Sequence, residues 1–225
     1  MFDDSIRMAK EILPHVKKSG FKGIMLSISN PADIICEYLR RNLKLPRNRA
    51  ICTGTSLETF RLQRVISRLT GYNRKSIQGF CMGEHGNSNV PIFSLVSING
   101  KPFLDLRKEN PKSPMAKNSL EDIEKEVKAA GNIEIDGKGC TEFGIGLVAN
   151  KLITAIFHDQ KILWPVSVAL EGEYGQKNVA AGVPCIIGKD GMEKVIEVKL
   201  SAKEKKRFNE SCDIIRGFLE RAHSL

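Results

Sequence analysis

Residues 24–53, IMLSISNPADIICEYLRRNLKLPRNRAICT, decide the fold. Ile24–Ile28 is a short apolar run without polar alternation, which fits a strand buried on both faces, as in a parallel sheet. It breaks at Ser29-Asn30-Pro31, so a polar tip follows the strand's carboxyl end, where open α/β sheets bind ligands. Asp33–Asn42 carries helical spacing, and Arg49–Thr53 is a second strand-like run. Strand, helix and strand in succession imply a parallel pair joined by a right-handed crossover.

Working outward, residues 3–18 predict a helix with Ile6, Ala9, Ile12 and Leu13 on one side, bracketed at its end by Gly20 and Gly23. Downstream, Thr55 with Glu58 fits a capping box, opening a helix that runs to Thr70 and stops at Gly71. Ile77–Met82 and Pro91–Ile98 predict strands, and Asn99-Gly100 a tight turn into Lys101–Leu106. Residues 110–114 predict a loop. Leu120–Ala130 predicts a charged helix opened by Ser119 and closed by Gly131. Phe143–His158 is apolar almost all round, which predicts a deeply packed helix. Trp164–Leu170 predicts a strand, and Val179–Ile187 with Val195–Leu200 an antiparallel pair through Gly188–Gly191. Ser201 with Glu204 makes a second capping box, opening a final helix whose Phe208, Cys212, Ile215 and Leu219 share one face. The fold class is therefore α/β followed by α+β. Residues 1–54 form a partial parallel α/β unit and residues 55–225 a mixed α+β domain.

Composition narrows the function classes. The 225 residues are 41% hydrophobic and 27% charged, ordinary for a soluble globular protein. No run approaches the ~18 apolar residues of a membrane span. The start, MFDDSIRMAKEIL, has neither the basic end nor the apolar run of a signal peptide. The six cysteines, at 36, 52, 81, 140, 185 and 212, are scattered without a CxxC pair. They read as buried free thiols of a reducing, cytoplasmic protein, not as zinc ligands or disulfides. The net charge of +9 is spread over polar helix faces, and aromatics are only 6%, so no nucleic-acid interface is expected.

Four residues suggest chemistry. Glu58 and Arg61 lie one helical turn apart. His85 sits between Gly83 and Gly86, and Asn30 ends the first strand. A planar guanidinium can clamp a carboxylate and an imidazole can move a proton, so the set suits a small carboxylic acid. Glu58 has two readings: it caps its own helix, or its carboxylate orients His85. His15, His158 and His223 read as structural or surface residues on helices.

The motifs SNPADI (29–34), GTSLETFRLQR (54–64) and GEHGNSNVPIFS (83–94), with KGCTEFGIG (138–146), VPCIIGKDG (183–191) and the terminal helix, closely resemble the L-lactate/malate dehydrogenase family. The GEHGNS form looks more like lactate or branched 2-hydroxy-acid dehydrogenases than malate dehydrogenases, which tend towards GGHGD. The resemblance implies the C-terminal remnant of a Rossmann-type sheet, followed by the family's mixed α+β substrate domain. It also implies hydride transfer between NAD(H) and a small 2-hydroxy or 2-oxo acid. His85 would be the acid/base, Arg61 the carboxylate clamp and Asn30 a neighbour of the reacting oxygen. Ile28, Ser29 and Asn30 would line the nicotinamide, and Thr141 would close the substrate pocket. A homodimer or homotetramer is implied too, and the apolar helices at 57–70 and 143–158 could supply its interfaces.

Three departures stand out. The family's histidine pairs with an aspartate, and Glu58 occupies that position, one methylene longer. Members activated by fructose 1,6-bisphosphate carry an arginine and a histidine where this chain has Gln63 and Gln78, so no such activation is expected. The family's G-x-G-x-x-G turn, which cradles the cofactor pyrophosphate, is absent. Gly144-Ile-Gly146 lacks the third glycine and suits helix packing instead. The expectation is a chain that starts before the fifth strand of a six-stranded sheet, with an open strand edge. The first expectation is an NAD-dependent 2-hydroxy-acid dehydrogenase of lactate type; the alternative is a catalytically silent fragment or interaction module that lacks its own cofactor site and needs a separate N-terminal piece.

Overall fold

The apolar runs of residues 24–53 form the parallel pair that their patterning requires. In the computed structural model, which describes residues 2–224, helix α1 (Phe2–Lys18) precedes strand β1 (Met25–Ser27), helix α2 (Ala32–Leu43) and strand β2 (Ala50–Cys52). β1 and β2 are parallel, with Leu26 opposite Ile51. Helix α3 (Ser56–Thr70) follows, then the two-residue strands β3 (Ile77–Gln78), β4 (Cys81–Met82), β5 (Val90–Pro91), β6 (Ser97–Ile98) and β7 (Lys101–Pro102). Helices α4 (Phe103–Glu109), α5 (Pro114–Lys117), α6 (Leu120–Lys138) and α7 (Phe143–Phe157) lead to strands β8 (Ile162–Glu171), β9 (Lys177–Gly188) and β10 (Gly191–Val195), and α8 (Ala202–Ser224) ends the fold.

One five-stranded sheet, ordered β1-β2-β8-β9-β10, carries the molecule. Its parallel part joins its antiparallel part through Cys52 opposite Ser167, so residues on both sides of position 54 share a sheet. The main core packs α1, α2 and α8 against it, with Ile6, Ile34, Ile51, Val166, Val183 and Phe208 essentially without exposure. A second core lies between α3 and α6, around Leu62, Ile66, Phe103 and Val127. Burial on the order of 2 kcal/mol for each such side chain makes these two clusters the main source of stability. β1 is the outermost strand of the sheet, and Met8, Ile12, Phe21 and Ile28 nearby are exposed.

Several expectations fail for identifiable reasons. Residues 77–82 are two strands in different sheets, broken at Gly79, whose φ of +152° and near contact with Val96 (2.9 Å to an added Cβ) admit no side chain. Residues 91–98 likewise split around a 3-10 turn at Phe93–Leu95. The turn at Asn99-Gly100 leads into a strand of only two residues, Lys101–Pro102: past Pro102, which has no N–H to continue a ladder, the chain turns helical and buries Phe103. α6 passes through Gly131 to Lys138 and ends with Gly139 in the left-handed region. The stretch 195–200 pairs only at Val195, since β10 lies at Gly191–Val195.

Helix α7 is not deeply packed. Only the stripe Val148, Leu152 and Ala155 is buried, while Phe143 and Phe157 are 78% and 81% exposed. All-round apolarity cannot say which side has a neighbour. Gly144 does serve packing, since an added Cβ would lie 3.1 Å from Leu57 Cδ2, but Gly146 has open space. The second capping box forms, with Ser201 N–H donating to Glu204 Oε2 and Glu204 N–H to Ser201 Oγ. His15 and His158 are exposed, and the His223 side chain lies outside the described residues.

Five cysteines are buried and Cys140 is exposed. Burial holds the thiols of Cys36, Cys52, Cys81, Cys185 and Cys212 well above their usual range, leaving them unreactive. The native chain is expected to release one equivalent of thiolate chromophore with Ellman's reagent, lost in Cys140→Ser, with the remainder appearing only on denaturation. Rapid reaction of several thiols in the native chain contradicts this burial pattern.

Candidate functional site

The site assembles where the start of α3 meets the loop after β4. Thr55 does not cap α3 with its side chain: its Oγ1 donates to the Cys81 carbonyl at 2.6 Å, and Thr59 Oγ1 accepts from Cys81 N–H at 3.0 Å. The capping-box reading of Thr55 and Glu58 is therefore incorrect. These two bonds staple the first turn of α3 to β4, and β4 leads directly into the His85 loop. That loop is anchored by paired backbone bonds between Gly83 and Gly182, at 2.9 and 2.7 Å. Glu84 N–H donates to Ser211 Oγ, and His85 N–H donates to Asp33 Oδ2, both at 2.8 Å.

Glu58, freed from capping, turns inward. Its Oε2 lies 3.0 Å from His85 Nδ1, and its Oε1 accepts from Arg61 Nη1 at 3.2 Å. Glu58 is 5% exposed at the side chain, His85 16% and Arg61 13%, so the three charges interact in a largely dry environment. Glutamate's extra methylene does not prevent the pairing. Burial pulls the His85 imidazolium towards losing its proton. The Glu58 charge and hydrogen bond, aided by Asp33, outweigh that pull and lift its pKa to about 9. At neutral pH His85 is thus a proton-loaded acid, with Nε2 making no hydrogen bond among the described residues. Arg61 keeps spare donors too: its buried Nε has no partner, and Nη2 is 3.8 Å from Glu134, which is 45% exposed.

These groups face one cavity of about 160 Å³, lined by Asn30, Glu58, Arg61, His85 and Thr141 among others. Ligand pockets for drug-sized molecules run to roughly 300–1,000 Å³, so this one suits a small acid. Cationic fork, protonated imidazole and amide converging on such a volume can bind a carboxylate and protonate an adjacent carbonyl oxygen. Ile28 and Ser29 do not line the cavity. They are exposed beside Asn30 at the carboxyl end of β1.

Sequence reasoning missed Lys128, Asn132 and Asn89, which also line the cavity, and Asp33, which holds the loop. Lys128 and Asn132 are spaced i, i+4 on α6, the signature of one helix face. Ending that helix at Gly131 hid the pair. Gly131 belongs there because an added Cβ would approach Arg61 Nη2 to 3.1 Å.

Residues 55–224 match the family model described as lactate/malate dehydrogenase, alpha/beta C-terminal domain. The L-lactate dehydrogenase of Fusobacterium nucleatum subsp. nucleatum is 39% identical over 216 residues, covering 96% of this chain and 68% of that protein. A lactate dehydrogenase structure from a Medee basin deep-sea metagenome library superposes with a TM-score of 0.92 at 30% identity, covering 97% of this chain and 69% of the other. The malate dehydrogenase of Aeropyrum pernix superposes at 0.90 with 27% identity, covering 98% of this chain and 72% of that one.

Proposed function

This chain belongs to the lactate/malate dehydrogenase family, and from that premise we propose that its cavity takes a small 2-oxo or 2-hydroxy acid of lactate type in an NAD(H)-dependent oxidoreduction. The observation that carries the reading is the chain of contacts Arg61–Glu58–His85, a carboxylate clamp and a charged imidazole held by one carboxylate. Arg61 binds the substrate carboxylate through parallel hydrogen bonds from its guanidinium, which lines the cavity. His85 gives the proton on Nε2 to the substrate oxygen during reduction and takes it back during oxidation. Glu58 keeps the ring protonated and oriented through Nδ1. Asn30 donates to the reacting oxygen and Thr141 closes the pocket.

NAD, when bound, supplies or accepts the hydride. The residues present fit its nicotinamide end: the exposed Ile28 offers an apolar face, with Ser29 and the cavity-lining Asn30 beside it at the end of β1. For the pyrophosphate end the 225 residues hold no G-x-G-x-x-G turn. Residues 1–54 are proposed as the nicotinamide side of the site and residues 55–225 as its substrate side. The exposed α7 stripe with Phe143, Leu147 and Phe157 supports a homo-oligomer, and a cytoplasmic location accords with the free thiols. Among the described residues no single helix is long and apolar enough to cross a membrane.

A second reading, a catalytically silent interaction module, is favoured by the exposed apolar side chains of α7, Phe143, Leu147 and Phe157. One experiment separates the two. NADH fluorescence enhancement and pyruvate-dependent NADH oxidation by the purified chain are expected under the first reading. Absence of both sinks stand-alone activity and leaves the module.

A further inference from the structure

His85 is held at two points, and the ring is only one of them. Glu58 takes Nδ1, while the backbone N–H donates to Asp33 Oδ2 at 2.8 Å. Asp33 is the second residue of α2 and 1% exposed. It sits in the first helical turn, where the free amide dipoles favour negative charge. Because it stands three residues after Asn30, one side chain ties the polar end of β1 to the His85 loop. The loop's other anchors, Gly182 and Ser211, are uncharged.

A carboxylate is a costly way to accept one N–H bond in a dry place, where asparagine would present the same acceptor. Asp33 Oδ1 is buried beside the Ser167 hydroxyl, outside ordinary hydrogen-bond geometry, and that hydroxyl is still the largest influence holding the carboxyl down. Burial pushes the Asp33 carboxyl up to about 6, with Glu84 adding to the rise and the His85 N–H and charge opposing it. What the carboxylate adds over an amide is its charge, and that charge acts on the imidazole.

We propose that Asp33 is a positioning residue for proton transfer, joining the Asn30 turn to the His85 backbone and adding a second negative charge beside the imidazole. This rests on reading His85 as the proton-transfer group. The surrounding groups are Glu58 and Arg61 from α3, Glu84 from the loop, Cys36 from α2, Cys52 from β2 and Cys212 from α8. The three thiols are raised by burial, Cys212 to about 12, and stay neutral.

The test is an NMR titration of the His85 ring in the full chain, assigned by subtraction of His85→Gln, in the native protein and in Asp33→Asn. That substitution keeps the acceptor and its shape and removes the charge. The midpoint, about 9 in the native chain, is expected to fall by on the order of one pH unit. The melting temperature at pH 8 is expected to hold or rise, because the desolvation of a carboxylate is gone. An unchanged midpoint overturns the proposal, whatever happens to the melting temperature. Should Asp33→Asn fail to fold, the native titration decides: a second, smaller inflection near pH 6 is expected in the His85 curve as Asp33 takes up its proton, and a single inflection overturns the proposal. Neither readout needs turnover, so a chain that fails to oxidise NADH still answers this question.

Discussion

Glu58→Gln is expected to drop the His85 titration midpoint from about 9 to below its ordinary 6.5. With the Glu58 charge and its charge-assisted bond removed, burial and the Arg61 cation act against the imidazolium with only Asp33 opposing them. The interval between 6.5 and about 9 corresponds to roughly 3 kcal/mol of preference for the protonated ring. The sign for stability follows from it. The folded chain holds this proton more tightly than the unfolded chain, so the stabilisation is complete below pH 6.5 and is lost as pH rises through about 9. In Glu58→Gln that alkaline loss is expected to vanish, together with most of the stabilisation at pH 6. In pyruvate-dependent NADH oxidation at pH 7, a neutral ring can no longer serve as acid, which removes a contribution of about 10²–10⁴-fold. NMR titration of the ring and melting curves from pH 5 to 10 check both expectations. A midpoint within about half a pH unit of the native one means that Glu58 is not what holds the proton.

Arg61→Lys is expected to raise KM for pyruvate on the order of 100-fold, with a smaller change in kcat. Lysine preserves charge but offers no planar fork, so one of two charge-assisted bonds to the carboxylate goes, at roughly 1.5–3 kcal/mol each. The shorter reach also releases Glu58 Oε1, which Arg61 now holds at 3.2 Å. Arg61→Ala gives a larger loss and a diagnostic opposite sign at His85. Arg61 opposes the imidazolium, so its removal raises the His85 midpoint, whereas Glu58→Gln lowers it. An unchanged KM in Arg61→Lys assigns the carboxylate to another cation of the cavity, of which Lys128 is the nearest in kind.

Much of this molecule is legible in its local patterning. The apolar runs at 24–28 and 49–53 carry no alternation, the mark of a parallel sheet, and β1 and β2 do pair in parallel; β2 is covered on both faces, whereas β1, at the sheet's edge, is only half-buried. Likewise Ser201 and Glu204 hold the backbone groups at the start of α8 without help from outside the segment. Glycine's freedom from a side chain ends α3 at Gly71. Residues 77–106 are not legible locally because their strands are two residues long, shorter than any period can resolve, and their breaks come from neighbours such as Val96 against Gly79. Gly131 reads locally as a stop. It is helical because α6 packs on α3 and needs room for Arg61.

The candidate site divides the same way. By its residue types and their spacing the sequence determined the inventory: a guanidinium and a carboxylate one turn apart, an imidazole between glycines, an amide at a strand's end. The role of Glu58 was undetermined, because capping and pairing use the same carboxylate and differ only in where it points. Tertiary structure decided it. Thr55 bonds to Cys81 and leaves Glu58 free, and β4 delivers His85 to 3.0 Å from its oxygen. Asp33 was invisible for the same reason: its partner is 52 positions away. A linear chain encodes which charges it owns; only folding sets the distances and the dryness that decide what those charges do.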